Sequence, residues 1–373
     1  MKNDYHGLIY AYELAPKLGG LVNSRTLPSM PIAGRFRLID FALSSLVNAG
    51  VRDVGVIMQR DYQSLLDHLG SGKDWDMSRR SGGLKLLPPF ALPDSRFGDY
   101  KGAMEALSAI APYIKDTKKE QFILCHGDMV ANIDLRKAIK SHEESGLKIT
   151  AVCTKAEPKD QNHRFITEGP VSMTADKLLC AYTGIGAGFA SLETYIIEKE
   201  LLLELISYCS QSSLVHFHRE ALTWYMQTGG RVNISLHDGF AQKISSVSDY
   251  YETSMKFLDR GIRTELFPTE RPVRTKERAE VSTYYAETSK VKNCLAADGC
   301  YIEGEIENCI LFRGVKVGKG VSLKNCIIMQ DTIIEQDANL SFAVVDKDAV
   351  ITQGRILAGS PTLPLVVPKG STV

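Results

Sequence analysis

Residues 295–332 read LAADGCYIEGEIENCILFRGVKVGKGVSLKNCIIMQDT, and their spacing decides the C-terminal fold. Short aliphatic segments end at Leu311, Val317, Leu323, Ile328, Ile334, Leu340, Val345 and Ile351, so that three consecutive steps of six, six and five residues make 17. That period belongs to a hexapeptide β-helix, in which each side of a triangular coil is one short strand and the period-six residue points inward. Asn-Cys recurs at 293, 308 and 325, which places Cys309 and Cys326 one turn apart inside the coil as small packed residues.

Upstream, roughly the first 240 residues alternate apolar runs with helical patterns, the signature of a mostly parallel sheet covered by helices. Strands are expected at 7–12, 53–58, 121–125, 147–153 and 231–236, and helices at 101–114, 191–208 and 214–227. In RLIDFALSSLVNAG, Leu38, Phe41, Ala42, Ser45, Leu46 and Ala49 share one helical face, and Gly50 stands where a terminating glycine belongs. The reading is therefore α/β, with a first domain over 1–260, a Pro-containing linker over 261–288 and the coil over 289–373.

The chain of 373 residues carries 44 basic and 44 acidic side chains, so no net field favours nucleic acid or an anionic membrane, and small molecules or proteins are the expected partners. No run reaches 18 apolar residues, and the start is too polar for a secretory leader. Eight cysteines without a CxxC pair suit a reduced, cytoplasmic protein. One absence bears on chemistry: LIYAYELAPKLGGLVNSRTLPSMP (8–31) has only Gly19-Gly20, not the glycine-rich loop whose converging amides wrap a triphosphate.

Three stretches carry a family resemblance: PIAGRFRLIDFALSSLVNAGVRDVGVIMQ (31–59), DHLGSGKDWDM with GGLKLLPP (67–77 and 82–89), and the coil motif of 295–332. Together they resemble bacterial glucose-1-phosphate adenylyltransferases, also called ADP-glucose pyrophosphorylases. The resemblance implies a Rossmann-like nucleotidyltransferase domain of mixed, mostly parallel sheet followed by a left-handed β-helix. It also implies an activity joining ATP to glucose 1-phosphate, with Mg²⁺ held by two aspartates. Asp128, after His126-Gly127, matches one of them and is the candidate vestigial metal ligand. The other falls on Lys243 in AQKISS (241–246). At ~4 Å and an effective dielectric near 20, that lysine opposes a divalent ion by about 8 kcal/mol gross.

Other implied substrate residues are also replaced. Leu27 stands for a phosphate-neutralising lysine before Pro28, and Ala103 follows Gly102 where the family has Gly-Thr. The sugar-phosphate lysine has no counterpart, since only Lys177 occurs between Arg164 and Ala190. Phosphoryl transfer depends on positioned cations and amides, so these joint losses predict loss of catalysis.

The combination resembles the GlgD-type, regulatory branch of the family. That resemblance implies a catalytic GlgC-type partner, which would use the Mg²⁺, in a hetero-oligomer expected to be a tetramer. Arg35 aligns with a lysine that contacts phosphorylated effectors, whereas Arg37 and Asp40 are expected to form a helix-start ion pair and first-turn acid. Two further readings stay open. One is an active sugar-1-phosphate nucleotidyltransferase with a loop rebuilt around Arg25, and the other is a scaffold that binds no ligand. A hexapeptide acyltransferase is disfavoured, because all eight histidines lie at or before position 237.

Overall fold

The computed structural model describes residues 4–12, 16–79, 82–88, 100–155 and 189–373. Strands Tyr5–Tyr10, Asp53–Ile57, Gly83–Leu87, Gln121–His126, Ile149–Lys155, Phe189–Glu198 and Asn233–Leu236 form one seven-stranded sheet. Every neighbour pair is parallel except the two made by Phe189–Glu198, which runs antiparallel between Gln121–His126 and Ile149–Lys155. Apolar clusters cover both faces, which is why the interior strand Tyr5–Tyr10 is buried along its whole length.

The helix at 38–49 is observed as Leu38–Asn48, and Gly50 follows at φ +83°, a conformation that suits glycine. The other expected helices need correction. The segment expected as a helix over 191–208 is a strand to Glu198 and a helix only over Lys199–Ser212. Its first part, Thr194-Tyr195-Ile196-Ile197, is β-branched and aromatic and is buried on both faces of the sheet, so it shows no period of two. The helix expected over 101–114 is two, Ala103–Ala109 and Ala111–Asp116, with Pro112 in the first turn of the second. The region 214–227 holds a π-helical turn, Phe217–Leu222, followed by the helix Thr223–Gln227.

The C-terminal coil is a left-handed β-helix made of three five-stranded parallel sheets. All eight residues of the six-six-five register, from Leu311 to Ile351, lie in its buried interior. The Asn-Cys repeat has a conformational cause: Asn293, Asn308 and Asn325 turn one corner at φ +50°, +52° and +54°, where asparagine is better tolerated than most side chains. Cys309 and Cys326 are fully buried behind that corner, and the Cys326 amide donates to Cys309 Sγ at 3.4 Å. Among the described residues all seven cysteines are free thiols.

One coil face, including Ile310, Ile327 and Val344, closes an apolar cluster with Leu18, Leu21, Phe41, Tyr250 and Phe257 of the sheet domain. Tyr251 Oη donates to the Asn325 carbonyl at 2.8 Å across this junction, and Arg25 forms a buried ion pair with Asp346 of the coil. The chain between the parts begins with the helix Arg260–Leu266, then runs beside Leu38–Asn48, where the Arg274 amide donates to Ser44 Oγ at 2.8 Å.

Candidate functional site

Parallel sheets gather ligands at the carboxyl ends of their strands. At the end of Gln121–His126 the chain turns through Gly127, packed so closely on the Leu27–Ser29 turn that an added Cβ would stand 2.9 Å from Pro28 Cβ. Asp128 follows and is buried. Strand Met129–Ala131 then pairs antiparallel with Ala241–Lys243, setting Lys243 opposite Met129, while the Ile244 amide donates to the Asp128 carbonyl at 3.0 Å. The two positions aligned by resemblance with a metal-ligand pair thus meet in space.

What they form is an ion pair. Lys243 Nζ lies 3.6 Å from Asp128 Oδ2 and 2.6 Å from Glu193 Oε2, and the same Glu193 oxygen is 3.3 Å from His126 Nδ1. The three side chains other than lysine place ligand-type atoms within 4.8 Å of one another. Burial raises the Glu193 pKa, but the Lys243 ammonium, with His126 and a hydrogen bond from Lys243, outweighs it and brings the pKa down to about 2. Burial lowers the pKa of His126, with the Glu193 carboxylate opposing it. His218 nearby is held at about 4, again chiefly by burial.

Glu193 is the residue that sequence reasoning missed. Ser191 and Thr194 pair with the consecutive residues Cys153 and Val152, so Leu192 and Glu193 bulge from the strand. Glu193 takes φ +49°, unusual for glutamate, and its amide is held by Ser191 Oγ at 3.0 Å. The bulge aims the carboxylate at Lys243. The only signal in the sequence was an acid within a buried apolar run.

The remaining expected positions have partners within the protein. Leu27 is fully buried in the cluster at the coil junction. Ala103 opens a helix whose Met104 amide donates to the Val215 carbonyl at 2.8 Å, and a Cβ on Gly102 would stand 2.3 Å from that oxygen. Gly19-Gly20 lies in a 3₁₀ turn whose Gly20 faces Pro368 of the coil. Arg25 is committed to Asp346 at 3% side-chain exposure, which removes the cation on which a rebuilt nucleotide loop would rely. The stretch 164–190 in which a sugar-phosphate lysine was sought, Lys177 included, lies almost wholly outside the described residues.

Arg35 is exposed, with its guanidinium carbon 5.8 Å from the Phe36 ring centre. Burial and the Arg278 charge push the pKa of Arg313 below its ordinary value, with Arg35 adding to this and Glu280 and Asp331 opposing it. The expected Arg37–Asp40 side-chain pair takes another form. Asp40 Oδ2 accepts the Arg37 amide at 2.9 Å as a helix cap and Oδ1 meets His68 Nε2 at 2.6 Å, while the Arg37 guanidinium donates to Ser64.

Comparison with known proteins agrees with both halves. Residues 15–165 match the family Nucleotidyl transferase, and residues 279–360 match the family GlmU-like, C-terminal hexapeptide. The chain is 34% identical over 328 residues to the glycogen biosynthesis protein GlgD of Bacillus subtilis, covering 86% of this chain and 83% of that one. It is 33% identical, with the same coverage, to GlgD of Geobacillus stearothermophilus. Glucose-1-phosphate adenylyltransferase of Clostridium perfringens is 26% identical over 87% of this chain and 82% of its own. Among the described residues no helix is long and apolar enough to cross a membrane.

Proposed function

Because the chain belongs to the family of the glycogen biosynthesis protein GlgD, we propose that it serves glycogen biosynthesis in the cytoplasm as a regulatory, catalytically silent subunit. Its partner is a catalytic GlgC-type glucose-1-phosphate adenylyltransferase, which carries the Mg²⁺ chemistry, and the two assemble as a hetero-oligomer, a tetramer. The observation that carries this reading is Lys243: its ammonium occupies the space between Asp128 and Glu193 where a nucleotidyl transfer site needs a divalent cation facing the phosphates. The helix start at Ala103 and the turn at Leu27 support it, since one has spent an amide on Val215 and the other presents a buried alkyl group. Arg35, exposed beside the Phe36 ring, is the candidate contact for a phosphorylated metabolite that acts as effector.

The test uses purified full-length chain. Alone with ATP, glucose 1-phosphate and Mg²⁺ it is expected to release no pyrophosphate above background. Mixed with the catalytic chain it is expected to co-elute and to change the rate or its response to sugar phosphates. Robust turnover by the isolated chain, or a mixture with unchanged kinetics and separate elution, overturns the proposal.

A further inference from the structure

The four-residue cluster has a property beyond the loss of catalysis. His126 offers an imidazole nitrogen, Asp128 and Glu193 offer carboxylates, and these come from a strand end, the turn after it and a bulge in the sheet. A mixed nitrogen and carboxylate set of this kind suits first-row divalent ions. Two carboxylates buried side by side without a cation would face both desolvation and mutual repulsion, so the site requires a positive charge. Lys243 supplies it from strand Ala241–Lys243, bonding one carboxylate at 2.6 Å and standing 3.6 Å from the other.

We propose that Lys243 is the resident cation of this site, standing where His126, Asp128 and Glu193 would otherwise gather a first-row divalent metal ion, and that its side chain alone keeps metal out. The protein thereby keeps the charge balance of a metal centre without any dependence on metal. This inference shares with the regulatory reading the position of Lys243, but its readout is metal binding, which failure of the regulatory reading would leave untouched.

The experiment titrates Co²⁺ into full-length wild-type protein and Lys243→Ala, followed by visible absorption and calorimetry in chelator-free buffer. The wild type is expected to show no saturable site in the range where Lys243→Ala binds one equivalent, a gain of at least 30-fold in affinity. Adding Glu193→Gln or His126→Ala to Lys243→Ala is expected to weaken that site at least tenfold. Lys243→Asp, titrated in parallel, covers the case in which the alanine variant does not fold. Wild-type binding as tight as that of the variants, or no site in either Lys243 variant, overturns the proposal.

Discussion

Substituting Arg25→Met removes one partner of an ion pair that fastens the sheet domain to the coil. The side chains of Arg25 and Asp346 are 3% and 0% exposed, so solvent screening gives little relief. Among the described residues, the surviving Asp346 carboxylate would keep the hydrogen bond that Oδ1 accepts from the Lys347 amide at 2.7 Å. A charge pair at ~4 Å in an effective dielectric of 20 is worth about 4 kcal/mol, and breaking a buried pair on one side costs about 3–5 kcal/mol. The double variant Arg25→Met/Asp346→Leu removes both charges and is expected to recover most of that loss, because burying matched apolar groups avoids desolvating two ions. Equilibrium urea unfolding measures this directly. Trp75 and Trp224 both lie in the sheet domain, so fluorescence follows that domain while circular dichroism also reports the coil. The reasoning is refuted if Arg25→Met lies within about 0.5 kcal/mol of wild type, or if the double variant is as unstable as the single.

Two stability predictions accompany those on activity and metal binding. Burial, with the Arg37 and Arg25 guanidinium groups, pushes the Lys347 pKa from 10.5 down to about 7. Between those values the unfolded chain binds a proton that the native state does not, so this group makes stability fall as pH drops from about 10.5 to 7, with no further change below. Urea midpoints across that range should show the slope in wild type and lose it in Lys347→Met. At the coil corner, Asn308→Gly should be close to neutral while Asn308→Ala costs about 1 kcal/mol, because φ +52° brings an alanine Cβ against the following carbonyl. Thermal melts that rank alanine above glycine would contradict this.

Much of the fold was legible where burial repeats along the chain. The helix Leu38–Asn48 presents one apolar face, and the coil puts one side chain inward every six residues, so each signals its period directly. Phe189–Glu198 was misread because a strand buried on both faces has no alternation, and its aliphatic run joins the amphipathic helix Lys199–Ser212 without a break. At the site, Asp128 and Lys243 were identified individually from the resemblance. Glu193 was not, since its role depends on a bulge that only pairing with Val152 and Cys153 creates.

The sequence by itself determined the division into an α/β part and a hexapeptide coil, and the absence of a glycine-rich phosphate loop, because period and residue type are local properties of the chain. The tertiary structure alone decided which charges meet. Arg25 and Asp346 are 321 residues apart, and Lys243 lies 50 residues from Glu193. Coulomb energy depends on distance and local dielectric, neither of which is written in chain order, so only the folded sheet turned a lysine in place of an expected ligand into the cation that holds Asp128 and Glu193 together.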